Sequence, residues 1–297
     1  MTLGLDLSNG HARAVVVDEH ARVRGRGDQA SAGGHLAEAA QAAMRGALAD
    51  AGGPVTRYAV AVPHPGDGLA ADMEGTHHGL LPKAPAPAIV SAGVATVVAE
   101  QWCGAAKGLP NVVALTSGEH VTGGIIIDGR VWAGTHGLAG ALGWLSQNPV
   151  EREDYRRLGG LEAEVSSGGI VRRFVWRIKS GDHSGILQPL QGDLTRVTID
   201  QVIQGARAGD GLCVSVIRDA AKYIGMAVAN VAAILDPQII VLGGLIATSG
   251  DLLLEPIRLE CSRRLSPAQT DSVEVALSPL GLEAAAIGAA RLALTPA

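Results

Sequence analysis

The same order of predicted elements, three strands, a helix, a strand and a helix, occurs twice along the chain, on either side of a break at Gly108-Leu109-Pro110. The predicted elements of the first half are strands 3–7, 12–18, 22–26, 58–62 and 88–90 and helices 34–51 and 92–106. Those of the second half are strands 112–116, 123–128, 130–133 and 238–242 and helices 168–178, 199–208, 212–234 and 282–294. Strands joined by turns of a few residues are typical of an antiparallel meander. A duplicated α/β unit predicts two lobes with a cleft between them.

Composition limits the classes of protein to which the chain can belong. Its 297 residues suffice for two cores, and the net charge of −5 without a Lys/Arg block argues against nucleic acid as a partner. No stretch reaches the roughly 20 apolar residues of a membrane span, and the first residues do not form a signal peptide, so we expect a cytoplasmic protein. The three cysteines, Cys103, Cys213 and Cys261, are dispersed, which predicts buried thiols.

One segment is specific enough to indicate a family. Residues 234–244 read ILDPQIIVLGG and are followed by LEPIR at 254–258. They are similar, almost residue for residue, to the LDPxxIVLGG…LxPI segment of the ROK family (repressors, open reading frames and sugar kinases) in the hexokinase–actin superfamily. Further matches in the family's order lie at 111–115, 124–130, 137–140 and 281–290.

The resemblance implies a two-lobed actin/hexokinase-like (ribonuclease H-like) α/β fold, built from duplicated βββαβα domains with an interdomain cleft. We expect an N-terminal lobe of residues 1–109, completed by the C-terminal helix 283–297, and a C-terminal lobe of residues 110–282. Because family members are often dimers or tetramers, we also expect a homodimer.

The first phosphate loop of the family, D-I-G-G-T-K, corresponds here to residues 6–11, DLSNGH. The resemblance implies that Asp6 lies near Mg²⁺ and the ATP phosphates. Ser8, Asn9 and Gly10 remain small, as a loop that brings backbone N–H groups to phosphate requires. These residues therefore remain candidates for nucleotide binding, with ATP and Mg²⁺ as the implied ligands.

The second phosphate loop, G-T-G-I-G-A-G in the family, reads GEHVTGG at 118–124. Gly118 is retained, as are Gly243 and Gly244 of the ILDPQIIVLGG segment, and all three are candidate nucleotide contacts. Glu119, however, places a carboxylate where an anion should bind. Two like charges at about 4 Å repel by roughly 4 kcal/mol at an intermediate dielectric constant. The sequence therefore predicts that ATP phosphates are disfavoured unless Glu119 points away or binds a metal.

The residue at the position of the family's catalytic base is an alanine. The base is the aspartate of N-D-x-N-A-A-A-x-A-E, and residues 91–100 here read SAGVATVVAE. Ala92 thus replaces an aspartate that takes the proton from the attacking hydroxyl, an effect worth about a hundred- to ten-thousand-fold. We expect no catalytic residue at this position.

The sugar-binding and zinc motifs have also changed. In the segment similar to G-E-I-G-H, at 140–144, Ala141 and Trp144 replace the glutamate and the histidine. The zinc motif C-x-C-G-x-x-G-C corresponds to 153–160, which has no cysteine or histidine, so we expect no zinc and no metal site. Glu162 matches a glutamate that contacts a sugar hydroxyl in the kinases, although it could equally be a helix N-terminal charge. Trp144 could fill the sugar pocket or stack on another ligand.

Three classes of function remain open. The first is a non-catalytic ligand sensor, partner-binding protein or regulator that keeps the cleft, with a sugar or a nucleotide as the expected small-molecule ligand. The second is an ATP-dependent kinase on an unusual acceptor, with Asp67 or Glu119 recruited as the base. The third, a DNA-binding repressor, needs a helix-turn-helix segment before the first strand, and that strand begins almost at Met1. His64 is predicted to be a solvated turn residue, and the adjacent His77 and His78 to be exposed.

Overall fold

A computed structural model describes residues 1–8, 10–31, 36–64, 80–81 and 84–294. These residues form two five-stranded mixed sheets with helices packed on them, an α/β fold of two lobes. The strands are β1 (Thr2–Asp6), β2 (His11–Val17), β3 (Val23–Ala30), β4 (Arg57–Val62), β5 (Ala88–Ser91), β6 (Val112–Ser117), β7 (Val121–Ile127), β8 (Arg130–Val131), β9 (Ile239–Gly244) and β10 (Glu274–Leu277). The helices are α1 (Leu36–Asp50), α2 (Ala92–Cys103), α3 (Glu153–Leu158), α4 (Gly160–Val165), α5 (Ser167–Lys179), α6 (Ile199–Arg207), α7 (Gly211–Leu235), α8 (Leu245–Thr248), α9 (Gly250–Ser262), α10 (Pro267–Ser272) and α11 (Ala284–Leu294).

The first sheet has the strand order β3-β2-β1-β4-β5. β1 is antiparallel to β2 and parallel to β4, and Asp6 at the end of β1 is paired with Ala61 near the end of β4. β5 is parallel to β4, with Ser91 paired with Val62. The carboxyl ends of these three parallel strands therefore meet at one edge, the edge at which α/β sheets commonly bind ligands.

The second sheet has the order β10-β9-β6-β7-β8. β6 runs parallel to β9, and their last residues, Ser117 and Gly244, are paired. β6 continues into a tight turn and returns as the antiparallel β7. The turn between β6 and β7 and the end of β9 consequently lie side by side.

Two helices join the sheets. α11 packs against β1, β2 and β4 of the first sheet and against α2, and α2 in turn packs against β6 and β7 of the second sheet. The approach of α11 to β1 is close, since a methyl group on Gly4 would lie 2.5 Å from the backbone nitrogen of Ala290. Thr2 Oγ1 also donates a hydrogen bond to the carbonyl oxygen of Ala290 at 2.8 Å.

The second lobe is built around α7, whose long apolar face is buried among α4, α5, α6 and α9. Cys213 and Cys261 are buried in this core, and Cys103 on α2 is half-buried; all three are free thiols. Burial raises the pKa of Cys213 to about 12. The prediction of buried thiols is confirmed for the two cysteines of the second lobe.

The structure extends the sequence prediction in several places. Strand β3 runs four residues past the predicted end at Arg26, and helices α3, α4, α8, α9 and α10 and strand β10 were not predicted. Among the described residues no helix combines the length and the apolar character needed to cross a membrane. The division into lobes at residue 109 stays a prediction.

Candidate functional site in the cleft

Asp6 ends β1 at the edge of the first sheet, and its side chain is buried. The backbone N–H of Ser8 donates to Asp6 Oδ1 at 2.9 Å. Burial raises the pKa of the Asp6 carboxyl, while hydrogen bonds from Ser8 act in the opposite direction. Gly10 has φ +64°, a left-handed conformation that favours glycine. Asn9 lies outside the described residues.

Glu119, in the turn between β6 and β7, brings its carboxylate against the first loop. A methyl group on Gly10 would lie 2.8 Å from Glu119 Cδ and 3.0 Å from Glu119 Oε2. The turn is fixed by neighbouring backbone bonds: the N–H of Gly118 donates to the carbonyl oxygen of His120 at 3.0 Å, and the carbonyl of Gly118 accepts from Ser167 N at 2.7 Å. A negative charge therefore lies over the first loop.

Glu162 is a buried carboxylate in the first turn of α4. Its Oε2 accepts a hydrogen bond from the backbone N–H of Val121 at 2.8 Å, and its Oε1 lies 3.3 Å from His120 Nδ1. Because its oxygens face the start of β7, Glu162 connects α4 to the second sheet. The carboxylate of Glu162 thus points toward the turn between β6 and β7, which also carries Glu119.

His64 follows the end of β4 and is half-buried, which differs from the expected solvated turn residue. Its ring packs edge to face on that of His120, with ring centroids 6.1 Å apart. One ligand atom each from His64, His120 and Glu162 lie within 4.8 Å of one another. The other two histidines singled out from the sequence, His77 and His78, lie outside the described residues.

Ala92 is the first residue of α2 and is buried. The helix begins there because Ser91 is the N-cap and its side chain accepts a hydrogen bond from Gly93 N at 3.2 Å. A methyl side chain can neither accept a proton nor hold a substrate hydroxyl. Compared with the sequence pattern that the chain resembles, the start of α2 therefore has an alanine in place of a titratable aspartate.

Two glycines end β9 next to the turn that carries Glu119. Gly244 has φ +63°, and a methyl group on it would lie 3.2 Å from the carbonyl carbon of Ser117. A methyl group on Gly243 would lie 2.8 Å from Thr116 Cγ2. Backbone contact with β6 thus explains Gly244, and contact with the Thr116 side chain of the same strand explains Gly243.

Trp144 lies at the end of a short 3-10 helix, Leu142–Trp144, and is 52% exposed. A ring with half of its surface in solvent does not act as a buried plug, so the observation favours the stacking interpretation over the filling one. Trp132, on the same connection, is similarly exposed.

The comparison with known families decides what kind of protein this site belongs to. The model of the ROK family matches residues 86–295, which is more than half of the chain. The chain belongs to the ROK family. The matched range includes the turn with Glu119, Ala92, Trp144 and Glu162, while the Asp6 loop precedes it.

Curated relatives of this ROK protein include glucokinases. It is 33% identical over 192 residues to the glucokinase of Halalkalibacterium halodurans, covering 64% of this chain and 58% of the relative. It is 29% identical over 198 residues to that of Thermotoga maritima, covering 67% and 62%. The alignments therefore span about three fifths of the length of these relatives.

Solved structures of the family share the fold over the whole chain. The ROK glucokinase from Streptomyces griseus, in complex with glucose and AMPPNP, superposes with a TM-score of 0.83 at 24% identity, with 99% of each chain covered. A ROK transcriptional regulator, a homologue of the E. coli MLC protein, superposes with a TM-score of 0.77 at 22% identity, covering 99% of this chain and 77% of that one. The fold is thus shared by glucokinases and a regulator, so it does not by itself distinguish their activities.

The segment of this ROK protein that corresponds to the zinc motif is held by charged side chains. α3 spans part of it, and the buried Glu164 accepts hydrogen bonds from the Tyr155 hydroxyl and from Arg152 and Arg173. Arg152 Nη1 lies 3.0 Å from Glu164 Oε1, and the Arg152 guanidinium lies over the Tyr155 ring. These contacts connect α3, α4 and α5 without a cysteine; the absence of zinc stays a prediction.

The structure brings the candidate residues together in two groups. Gly10 and Glu119 meet where the first loop faces the second, with Asp6 at the start of that first loop, and His64, His120 and Glu162 form the other group. Surface cavities of about 390 and 480 Å³ lie elsewhere, against α9 and beside residues 146–149, and contain no member of either group. His120 was missed by sequence reasoning. The available signal was that His120 stands at the position of a glycine in the family's second phosphate loop.

Proposed function

We propose that this ROK-family protein binds a small-molecule ligand, a sugar or a nucleotide, in its cleft and does not transfer a phosphoryl group to glucose. The observation that carries the proposal is the buried methyl group of Ala92 at the first residue of α2. The family's sequence pattern has the catalytic aspartate at that position. Without a base the attacking hydroxyl keeps its proton, and the rate falls by about a hundred- to ten-thousand-fold.

The position of Glu119 also supports the proposed loss of phosphoryl transfer, because its carboxylate opposes the binding of ATP phosphates. Its carboxylate lies against Gly10, where the family's phosphate loop would place backbone N–H groups around an anion. Any nucleotide that binds here has to displace or neutralise that charge. Asp6 remains as a carboxylate through which Mg²⁺, coordinated by water, would compensate it.

The alternative proposal is an ATP-dependent sugar kinase that acts on an unusual acceptor. It is favoured by Asp6 and Glu119, because each is a carboxylate in one of the two loops and offers a proton acceptor other than residue 92. Asp67, the other candidate base, lies outside the described residues. We also propose that the protein is a homodimer, because members of the family are often dimers or tetramers.

The deciding experiment combines a binding and an activity measurement. Calorimetric titrations with glucose, ATP and ADP, with and without Mg²⁺, measure whether the cleft binds either ligand. A coupled assay of ADP release measures turnover with glucose and a panel of other sugars.

The proposal predicts saturable binding of a sugar or nucleotide and no glucose turnover above background in the wild type. We expect none in Ala92→Asp either, because Ala141 and Trp144 also replace the sugar-binding glutamate and histidine of the family's pattern. Glucose turnover by the wild type or by that single variant would refute the loss of chemistry. Turnover with another sugar alone would establish the kinase alternative.

A further inference from the structure

The group formed by His64, His120 and Glu162 has the composition and spacing of a transition-metal site. Two imidazoles and one carboxylate are the ligands that Zn²⁺ and neighbouring first-row metals prefer. One ligand atom from each residue lies within 4.8 Å of the other two, and among the described residues this is the one group of three such side chains. We propose that these three residues bind a divalent zinc-class cation.

The distances are close to those that a bound metal requires. Bonds of about 2.0–2.1 Å in a tetrahedral site place ligand atoms about 3.4 Å apart. His120 Nδ1 and Glu162 Oε1 are already 3.3 Å apart. His64 has to approach by no more than about an ångström and a half to complete the set, a movement that rotation of a half-buried side chain supplies.

The carboxylate is oriented for this role by the backbone. Glu162 Oε2 is engaged by the N–H of Val121 at 2.8 Å, which leaves Oε1 directed at His120. A hydrogen bond to the non-ligating atom of a metal ligand is the usual way in which a protein fixes that ligand. The buried Glu162 also supplies the negative charge that partly neutralises a divalent cation.

The three residues come from both lobes. His64 follows β4 of the first sheet, whereas His120 lies in the turn after β6 of the second sheet and Glu162 lies on α4. A bound cation therefore connects the two walls of the cleft. Three protein ligands leave a fourth position for water or for an oxygen atom of a small molecule in the cleft, as in zinc sites that bind substrates.

The test uses the full chain without a polyhistidine tag, stripped of metal with a chelator. Zn²⁺ is titrated by calorimetry, and Co²⁺ is added as a spectroscopic probe because tetrahedral cobalt has intense visible absorption. We expect one equivalent of Zn²⁺ to bind and the cobalt spectrum to be tetrahedral.

Variants assign the ligands. We expect His64→Ala, His120→Ala and Glu162→Gln each to weaken zinc binding at least about tenfold. His183→Ala, which removes an exposed histidine that is not a member of the group, should leave the affinity unchanged. The thermal midpoint of each variant without metal verifies folding.

Other outcomes overturn the proposal. Absence of saturable zinc binding would show that His120 and Glu162 form an ordinary hydrogen bond. Binding that survives His64→Ala and His120→Ala, but is lost in the double variant His77→Ala/His78→Ala, would place the metal on those histidines instead. None of these measurements depends on phosphoryl transfer, so the metal site and the proposed function stand or fall separately.

Discussion

Gly93 of α2 and Gly123 of β7 touch backbone to backbone. A methyl group on Gly93 would overlap the carbonyl oxygen of Gly123 and lie 2.6 Å from its nitrogen. The contact places the start of α2, and with it Ala92, directly on the second sheet. No side chain fits between the two elements.

Gly93→Ala is therefore expected to destabilise the protein by roughly 1–3 kcal/mol, the range for overpacking in a core. The gain in helix propensity, about 1 kcal/mol, is too small to reverse the sign. Denaturant unfolding measures the change. Gly211→Ala at the start of α7, where no atom lies within 4 Å of the added methyl group, is the matched control and should be neutral or slightly stabilising.

Glu119→Gln is expected to strengthen the binding of ADP without Mg²⁺. Removing a negative charge about 4 Å from a phosphate is worth about 1 kcal/mol even in bulk water, which corresponds to at least about a fivefold lower Kd. Leaving out Mg²⁺ prevents the carboxylate from acting as a ligand of the cation. Calorimetry measures the change, with the exposed Glu151→Gln as the control for net charge. An unchanged or higher Kd in Glu119→Gln would show that the carboxylate does not oppose the phosphates.

Glu100 on α2 gives a prediction about pH. Its side chain is buried, accepts hydrogen bonds from the Ser278 hydroxyl and from Ala105 N, and has a pKa that burial raises above the ordinary value of 4.5. The folded state thus takes up the proton more readily than the unfolded state. Its contribution to stability is full below the ordinary pKa and is lost as the pH rises through the raised value.

Glu100→Gln removes this titration and keeps an acceptor for Ala105 N and an amide next to Ser278. We expect the thermal midpoint of the variant, relative to the wild type, to rise between pH 5 and pH 8. Glu151→Gln, at an exposed glutamate, is the control and should show a flat difference across the same range. A flat difference for Glu100→Gln as well would mean that Glu100 is not protonated in the folded protein.

Glu164 is expected to be the most sensitive side chain of the segment that resembles a zinc motif. Replacing it by alanine removes the ion-pair partner of the mostly buried Arg173 and leaves only the longer-range attraction of Asp219, so we expect a loss of about 3 kcal/mol, the lower end for breaking a buried pair. Denaturant unfolding measures the loss, and Glu153→Ala, at an exposed residue of α3, is the control. A loss below 1 kcal/mol would indicate that water replaces the missing carboxylate.

The repeated order of elements could be predicted because, in the longer elements, apolar residues recur at the spacing of a helix or a strand. Shorter elements could not: α3 and α4 have six residues each and are separated by Gly159, so neither shows a full amphipathic pattern. β3 continues to Ala30 through a polar sequence because Gly27 lets the strand lie on α1, where a methyl group would come 2.7 Å from the carbonyl carbon of Ala43.

The site was predicted unevenly for a similar reason. Asp6, Gly10 and Glu119 belong to loops whose sequence pattern indicates their place. The His64–His120–Glu162 group depends on how three elements, up to 98 residues apart in sequence, are placed by two sheets and a helix. The spacing of these residues in the sequence does not predict that they lie close together, and none of them belongs to a recognisable metal-binding motif.

The contact of β1 with α11 sets the order in which the protein can be completed during synthesis. Thr2 and Gly4 are translated well before the residues that cover them, Ala286 and Ala290, which lie nearly 290 positions later in the sequence. One apolar face of the first sheet therefore stays uncovered until α11 has been translated. Nascent chains that stall before Ala284 would carry that face exposed and be prone to association.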